Sequence, residues 1–181
     1  FNSSVLVCGD GNKIVQTANV PGAAPWLYKV FPSMKKAKVT FGSSFNVEDL
    51  MKNKPDIVYV YEKSSIKQKL IDSGIPTVAV RVMSFKDLKK SMLITGESLG
   101  GDSLKRAKEY NKYFEDKITE IKSVTDTIPK DKKPKVLHLQ GTISPIVCDG
   151  SQSTIDDWIT TAGGVNAAQE IIGTVKQISM E

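Results

Sequence analysis

The sequence predicts an α/β fold with a Rossmann-like parallel-sheet lobe, a long connecting helix and an incomplete second α/β lobe. Short apolar segments alternate with short amphipathic segments over the first hundred residues, which is typical of a parallel sheet covered by helices. An uninterrupted helical segment follows, and the strand-and-helix pattern then begins again. We therefore expect residues 1–100 to form the first lobe, 101–128 the connecting helix and 129–181 part of the second lobe.

The first elements of this lobe are short and are separated by turn-forming residues. The β-branched apolar run 5–8 predicts a buried strand that ends in the glycine-rich turn 9–12. Residues 14–18 predict a short helix, and residues 39–41 predict a weak strand. Between them, residues 26–31 form an amphipathic segment that a proline ends.

The most regular part of the pattern runs from a capping asparagine at residue 46. Asn46 and Ser84 each precede a predicted helix, and the side chain of each can accept hydrogen bonds from the first amide groups of that helix. Both strands in this region are apolar on both faces, which indicates a parallel sheet covered on both sides. The predicted elements are a helix over 47–51, a strand over 56–61, a helix over 64–72, a strand over 77–82 and a helix from Phe85.

One long amphipathic helix is predicted after Gly100 and Gly101. Neither proline nor glycine occurs from Asp102, the expected N-cap, to about Asp126, and apolar side chains recur at three- and four-residue steps. Such a helix of about 24 residues is roughly 36 Å long at 1.5 Å per residue. We expect it to act as a strut between two regions of alternating strands and helices.

The second lobe is predicted to begin after a lysine-rich turn. Residues 136–139 predict a strand, 140–153 a long polar loop, and 154–162 a helix that two glycines end. Residues 167–172 fit a further short helix. Because one strand cannot form a sheet core, the pattern predicts either a fragment or a strand that joins the first sheet.

The composition argues against several classes of protein. The 25 basic and 20 acidic residues give a formal charge of +5, but the excess is scattered lysine with only two arginines, which is typical of a solvated surface and not of a nucleic-acid site. No apolar run is long enough to span a bilayer. Cys8 and Cys148 are expected to be free or buried thiols, with a disulfide between them as the alternative. The single histidine leaves no basis for a zinc cluster or a hydrolytic triad.

Three segments carry motifs that occur together in one protein family. Residues 46–58 read N-x-E-x-L-x-x-x-K-P-D-x-V, residues 156–166 contain W-x-x-x-A-G-G-x-N, and residues 177–181 end in an I-S-x-E element. With the strand after Gly74, the helix start at Phe85 and the long helix, they resemble the class III substrate-binding proteins of ABC importers. This family carries ferric siderophores, haem, cobalamin and, in a smaller branch, molybdate or tungstate.

The resemblance implies a non-enzymatic protein that works outside the cytoplasmic membrane. Its partners would be a small-molecule metal chelate or oxyanion, bound between two lobes, and the transmembrane subunits of an ABC permease. A ferric siderophore or haem is the expected ligand, and molybdate or tungstate is the alternative. No cofactor is implied, and a signal or lipid anchor, the only expected link to the membrane, would have been removed from this chain.

The chain departs from the family pattern in two places. Family members run about a hundred residues further, so we expect this chain to supply one wall of the ligand cleft. The usual strand unit between Gln16 and Pro21 is also missing from the pattern, which predicts a first sheet that is one strand short.

The resemblance implies that loops at the carboxyl ends of the strands hold the ligand, in agreement with the general rule for open α/β sheets. The candidate ligand-binding residues are Asp10, Asn12, Trp26, Tyr61, Arg81, Gln140 and Thr142.

The chemistry of three candidates suits a chelate. A charged Arg81 within an apolar strand is costly unless it is paired, so we expect it to bind carboxylate, catecholate or oxyanion groups, or alternatively to form an intraprotein salt bridge. Trp26 and Tyr61 can stack on a planar ligand, with core packing as the alternative. His138, between two leucines, is expected to be a hydrogen-bonded core imidazole.

Two glutamates match the family's permease-docking positions. Glu48 lies in the first motif and Glu181 in the last, and the resemblance implies that each pairs with arginines of the permease. For Glu48 the alternative is simple compensation of the helix dipole.

The alternative function from another class of protein is a nucleotide-binding α/β enzyme that uses the loop 9–12. This loop, however, has neither of the glycine patterns that bind phosphate.

Overall fold

The computed structural model describes residues 1–40, 46–141 and 146–178, in which short strands alternate with helices. The chain forms two compact units, Phe1–Arg81 with Ser91–Tyr110 and Val82–Lys90 with Asn111–Glu181. Parallel strand pairs and one long helix are present, as the predicted fold class requires. The boundaries that we placed after residues 100 and 128 remain a prediction.

In its described residues, the first unit contains four short strands in two parallel pairs, β1 with β2 and β3 with β4. Its elements are α1 (Asn2–Val7), β1 (Gln16–Thr17), α2 (Pro25–Val30), β2 (Lys38–Val39), α3 (Val47–Lys52), β3 (Val58–Tyr61), α4 (Lys67–Asp72) and β4 (Thr77–Val80). Helices α5 (Phe85–Leu99) and α6 (Ser103–Thr125) contribute residues to both units.

The predicted strand over residues 5–8 is wrong, because these residues complete helix α1 and the turn after it. The amide of Val5 donates to the carbonyl of Phe1 at 3.1 Å, and the amide of Cys8 donates to the carbonyl of Ser4 at 3.0 Å. These local bonds satisfy the backbone without a neighbouring strand. A run of four apolar residues fits either structure, so its periodicity could not decide between them.

The predicted helix over residues 14–18 is also wrong, because Gln16 and Thr17 form strand β1. They pair in parallel with Lys38 and Val39 of β2, which confirms the weak strand predicted there. The expectation that a strand is missing near Gln16 is corrected by the same pairing. Residue 41, the end of the predicted second strand, lies outside the described residues.

The predicted pattern that begins at Asn46 is confirmed. The side chain of Asn46 accepts the Glu48 amide at 2.9 Å, and that of Ser84 accepts the Asp87 amide at 3.1 Å, so both predicted caps form. Strands β3 and β4 pair in parallel from Val58 opposite Thr77 onwards. Buried side chains of α3, β3 and α4 form one core cluster with Ile75, which precedes β4: Val47, Leu50, Val60, Leu70 and Ile75.

Helix α6 confirms the predicted long helix, with 23 residues and a length of roughly 34 Å. Its first turns pack closely on α5 because Gly96 has no side chain, and a Cβ there would lie 2.7 Å from the Cβ of Ala107. Farther along, the Asn111 amide group donates to the Lys89 carbonyl at 2.9 Å. Within the described residues, no helix is long and apolar enough to cross a membrane.

The second unit has more strands than the sequence indicated. Its elements are β5 (Lys135–Val136), β6 (Leu139–Gln140), β7 (Ile146–Cys148), α7 (Thr154–Thr161), β8 (Val165–Asn166) and β9 (Lys176–Ile178). Strands β5 and β8 pair in parallel, and β6, β7 and β9 form an antiparallel sheet. Each strand has only two or three residues, too few to show a period in the sequence.

These strands correct three predictions. The expected single strand 136–139 is divided between β5 and β6, so its partners lie within this unit and not in the first sheet. The expected loop 140–153 contains β7. The expected helix 167–172 does not form, because the Ala167 amide donates to the carbonyl of Val136 at 2.8 Å and so continues the pairing of β8 with β5.

Helix α7 has the predicted bounds within one residue. The buried hydroxyl of Ser153 caps it by accepting the Asp156 amide at 3.0 Å. Gly163 ends it with a φ of +85°, a conformation that side chains with a Cβ rarely adopt. A Cβ at Gly163 would also lie 2.9 Å from Ile128 Cδ1 and 3.0 Å from Thr125 Cβ.

Replacing Gly163 should therefore cost more than replacing Gly173, which has a similar φ of +90° but ordinary spacing around its Cβ position. We expect Gly173→Ala to lower the free energy of unfolding by about 1 kcal/mol through backbone strain alone. Gly163→Ala should lower it by about 1–3 kcal/mol more through steric overlap. Urea unfolding of both variants measures the difference, and equal losses would contradict the close packing at Gly163.

Candidate functional site

Tyr61 and Arg81 lie at the same edge of the parallel pair β3–β4. Tyr61 is the last residue of β3 and pairs with Val80, the last residue of β4, and Arg81 follows directly. The carboxyl ends of parallel strands are the edge at which open α/β sheets bind ligands. The structure therefore brings these two predicted residues together at the expected edge.

Arg81 differs from the prediction in its surroundings. We expected a charge within an apolar strand, but β4 ends at Val80 and Arg81 is exposed. The guanidinium of Arg81 therefore does not incur the cost of a buried charge. That cost was the reason to expect either a bound ligand or a salt bridge at Arg81, and it no longer supports either one. What remains is an accessible guanidinium at the carboxyl edge of the sheet.

The two aromatic candidates are both exposed, so the core-packing alternative is wrong for each. Tyr61 is 62% exposed, and its ring contacts that of Phe1 with centroids 4.7 Å apart and planes tilted by 55°. Trp26 is 59% exposed on α2, whose buried side chains are Leu27 and Tyr28. Both rings offer apolar surface to a ligand or partner.

Asp10 has contacts within the protein that account for its position. Its carboxylate is paired with Lys13 Nζ at 2.8 Å and accepts a hydrogen bond from the Ser103 hydroxyl. Burial acts to raise the pKa of Asp10, but the hydrogen bonds from Lys13 and Ser103 and the charges of Lys13 and Arg106 outweigh it and lower the pKa. Asn12, by contrast, is exposed.

The loop 9–12 has little of what a phosphate site needs. It leads into a three-residue 3₁₀ turn, Gly11–Lys13, whereas phosphate loops open a long helix whose amides face the anion. Its own carboxylate, Asp10, neutralises Lys13. The guanidinium of Arg106 lies so close to Gly9 that a Cβ there would be 2.8 Å from Nη1.

A cavity of about 380 Å³ lies in the first unit. Its walls include Val5 of α1, Gln16 of β1 and the segment Asp56–Tyr59, which leads into the amino-terminal half of β3. Tyr61 and Arg81 are at the opposite end of this strand pair. Phe1 also lines the cavity, and its ring contacts that of Tyr61, so one wall residue of the cavity touches the aromatic side chain at the carboxyl edge.

In the second unit, the predicted residue Gln140 contacts a carboxylate that sequence reasoning missed. Gln140 is exposed at the end of β6, and its amide group donates to Asp149 Oδ2 at 2.7 Å. Thr142, its predicted neighbour in the site, lies outside the described residues. Asp149 itself is completely buried and directly follows β7.

Asp149 is the centre of a hydrogen-bond cluster. It accepts bonds from the Thr174 hydroxyl, from the Val175 amide at 3.0 Å and from His138 Nδ1 at 2.8 Å. Burial acts to raise the pKa of Asp149, but the bonds from Thr174, Val175, Gln140 and His138 outweigh it and lower the pKa. The carboxylate therefore stays ionised although it has no contact with water.

His138 is hydrogen-bonded, as expected, but it is not a core residue. Its side chain is 37% exposed. His138 and Gln140 are two residues apart and bond the same carboxylate oxygen, so they lie on one face of this strand region. In the sequence, the contact between His138 and Asp149 is signalled only by the single histidine and by the Asp149-Gly150 dipeptide after an apolar run.

The backbone around Asp149 is tightly constrained. Val175 has a φ of +53°, which is strained for a β-branched residue and persists because the Asp149 carboxylate holds its amide. Gly150 allows close packing, since a Cβ there would lie 1.9 Å from the Ile171 carbonyl oxygen. The donors to Asp149 are thus positioned by the chain on both sides.

The buried Asn166 explains the A-G-G-x-N motif in structural terms. Its amide group donates to the Asp149 carbonyl at 3.1 Å and to Asp156 Oδ1 at 3.0 Å, and its oxygen accepts the Ala168 amide at 3.0 Å. One side chain thereby joins the turn after β8 to the start of α7 and to the Asp149 segment. This role is structural.

The first of the two docking candidates is accessible. Glu48 is exposed in the first turn of α3, where its backbone amide is capped by Asn46. Glu181 lies outside the described residues. The pairing of these glutamates with a permease remains a prediction.

The cysteines do not form the alternative disulfide. Cys8 and Cys148 are both free and buried, as the first expectation had it. Burial and the nearby charge of Asp10 raise the pKa of the Cys8 thiol, against the opposing effect of Arg106. Among the described residues, no group of three or more His, Cys, Asp or Glu side chains is arranged to hold a metal ion.

Comparison with known proteins identifies the family. Residues 5–181 match the model of a periplasmic binding protein family, and the chain belongs to that family. Its members are transport substrate-binding proteins, and the family places the protein outside the cytoplasm, as the resemblance implied. The fold and the family predicted from the motifs are therefore confirmed.

Individual relatives are distant and longer. The chain is 28% identical over 150 residues to an uncharacterized ABC transporter substrate-binding lipoprotein of Bacillus subtilis (strain 168). The alignment covers 79% of this chain and 47% of the relative. The chain thus spans about half of that protein.

Two solved structures share the fold. An apo periplasmic haem-binding protein of Roseiflexus sp. RS-1 has a TM-score of 0.76 at 18% identity, with 98% of this chain and 66% of that one covered. The molybdate-bound periplasmic binding protein of a Haemophilus influenzae ABC transporter has a TM-score of 0.77 at 18% identity, with coverage of 98% and 61%.

The lowered pKa of Asp10 predicts a pH-dependent contribution to stability. The ionised carboxylate contributes fully above its unfolded pKa of about 4, and the contribution is lost as the pH falls through the lower folded pKa. We expect Asp10→Asn to lower the free energy of unfolding by about 1 kcal/mol at neutral pH and by progressively less as the pH falls below about 4.

Urea unfolding at several pH values measures this effect. Asp116→Asn is the matched control, because it removes an exposed carboxylate paired with Lys112 and should change stability by less than about 0.5 kcal/mol. A loss at Asp10 that is the same at every pH would contradict the role of its charge.

Proposed function

We propose that the protein is the substrate-binding component of an ABC importer, and that it captures an iron chelate, a ferric siderophore or haem, and delivers it to the permease. The observation that carries this proposal is the family match over residues 5–181. The related lipoprotein of Bacillus subtilis is itself an ABC transporter substrate-binding protein.

The chemistry of the β3–β4 edge supports a chelate as the cargo. Tyr61 offers an exposed aromatic ring, and Arg81 offers a planar fork of donors at the neighbouring strand end. Siderophores and haem combine planar or aromatic surface with carboxylate or catecholate oxygens. A ring and a guanidinium at neighbouring strand ends suit both kinds of group.

Molybdate or tungstate is the second candidate. The fold shared with the molybdate-bound protein of Haemophilus influenzae and the exposed guanidinium of Arg81 favour it. A small tetrahedral oxyanion would use Arg81 but would gain nothing from stacking on Tyr61. The two candidates therefore differ in their dependence on the tyrosine.

Titration of the purified protein with ferric haem, a ferric catecholate, molybdate and magnesium-ATP tests these functions. We expect chelate binding to be weakened about tenfold by Arg81→Ala, since a charge-assisted hydrogen bond is lost, and also by Tyr61→Leu. Absorbance and calorimetry measure the affinities. Lys69→Ala, which removes an exposed charge from α4, is the control and should bind as the parent does.

Other outcomes would point elsewhere. Binding of molybdate alone, weakened by Arg81→Ala and unaffected by Tyr61→Leu, would favour the oxyanion carrier. A thermal shift with magnesium-ATP and no response to any chelate would contradict the proposal and favour a nucleotide-binding enzyme.

The proposed docking role of Glu48 is separable from ligand binding. Glu48→Gln removes the charge but leaves the backbone amide that Asn46 caps. We expect unchanged chelate affinity and about tenfold less chelate uptake in cells that express the permease, because a charge pair across the interface is lost. Glu109→Gln, an exposed glutamate within α6, should leave uptake unchanged. Normal uptake with Glu48→Gln would limit this residue to stabilising its helix.

A further inference from the structure

The His138 imidazole is held in the manner of a metal ligand. Its Nδ1 faces the fully buried Asp149 carboxylate at 2.8 Å, whereas the side chain as a whole is 37% exposed. The contact with Asp149 occupies Nδ1, so Nε2 is the ring nitrogen that can bind a ligand. A hydrogen bond from Nδ1 to a carboxylate fixes the tautomer that leaves the Nε2 lone pair free and makes it a stronger donor.

The carboxylate that orients the ring is itself fixed. Gln140 and the Thr174–Val175 segment donate to Asp149, so Asp149 cannot turn away from the imidazole without losing these bonds. Metal-binding histidines need this kind of support, because a ring that rotates freely pays an entropic cost on binding.

The position of the ring is next to a residue already predicted to bind ligand. His138 and Gln140 lie on one face of the β6 region and share Asp149 Oδ2. A ligand that reaches Gln140 is therefore within reach of the neighbouring imidazole edge.

We propose that Nε2 of His138 coordinates the metal of a bound chelate. This inference rests on the proposed function and narrows the class of cargo. Among the described residues, no set of three or more side chains is arranged to hold a bare ion, and one imidazole holds an aqua ion only weakly. A metal whose chelator fills all but one or two positions needs one protein ligand, as haem iron does.

The proposed step is a ligand exchange. The Nε2 lone pair forms a bond to the metal, a water or other weak ligand leaves the same coordination position, and the Nδ1 proton stays in its hydrogen bond to Asp149. No electron is transferred. The cargo must therefore have an exchangeable position, which ferric haem has and a saturated ferric tris-catecholate does not.

Titration with ferric haem tests the proposal, with ferric tris-catecholate as the comparison. We expect the parent protein to shift the Soret band on binding haem, and His138→Gln to lose this shift and bind haem at least about tenfold more weakly. Glutamine keeps an N–H group able to donate to Asp149 but lacks the imidazole nitrogen. Binding of tris-catecholate by the variant should equal that of the parent protein.

Three further measurements complete the test. Free imidazole should restore the Soret shift in His138→Ala, and the urea midpoint of each variant shows whether it is folded. Asp149→Asn should weaken haem binding less than the loss of the imidazole does. An exposed lysine on β5 supplies the control Lys135→Gln, which should leave the Soret shift and the haem affinity unchanged.

The outcomes separate the two proposals. Haem binding with the same spectrum in the parent protein and in His138→Gln would overturn coordination by His138 and leave the transport function standing. Binding of tris-catecholate without haem would do the same. Failure to bind any chelate would overturn the proposed function itself.

Discussion

One buried anion organises the second unit. Asp149 is shielded from water, so the stability of its charge depends on the groups that donate to it. Those groups come from the β6 region and from the turn before β9, while the backbone carbonyl of Asp149 accepts a bond from Asn166, the last residue of β8. Strands of two or three residues have little stability by themselves, and here separate short segments are joined through one residue. The strained Val175 backbone shows how firmly the bonds to Asp149 hold that turn.

The first unit depends on a different constraint, the parallel pairing of β3 with β4. Four residues pair in register, and both strands end together. In a parallel pair, the residues that end or follow the two strands lie at one edge of the sheet. Open α/β sheets bind their ligands at this edge, whichever side chains it carries. In this chain the edge carries a tyrosine and an arginine, groups that recognise planar and anionic surfaces. The buried Leu70 of helix α4 belongs to the same core cluster as Val60 of β3.

The sequence predicted best where the elements are long or have distinct caps. Helix α6 follows from 23 residues without a breaker. Helices α3 and α5 follow from the caps Asn46 and Ser84, and α7 from the two glycines that end it. It predicted poorly where tertiary pairing decides the structure: the apolar run before Cys8 is helical, and β7, β8 and β9 are too short to show periodicity. The positions of Tyr61 and Arg81 at one edge could be predicted, because the two residues lie at the ends of recognisable strands. Asp149 could not, because its significance arises from donors spread along 38 residues of chain, from 138 to 175.

The buried free thiols have a consequence for how the protein can be observed. One cysteine belongs to each unit, and Cys148 directly precedes Asp149. A thiol reagent can reach Cys148 only when that strand opens, so its reaction rate counts the openings of the segment around the buried carboxylate. The reaction rate of Cys8, which directly follows α1, reports independently on openings of the packing between α1 and α6. The molecule thus carries an internal chemical reporter for the local dynamics of each half, without any engineered label.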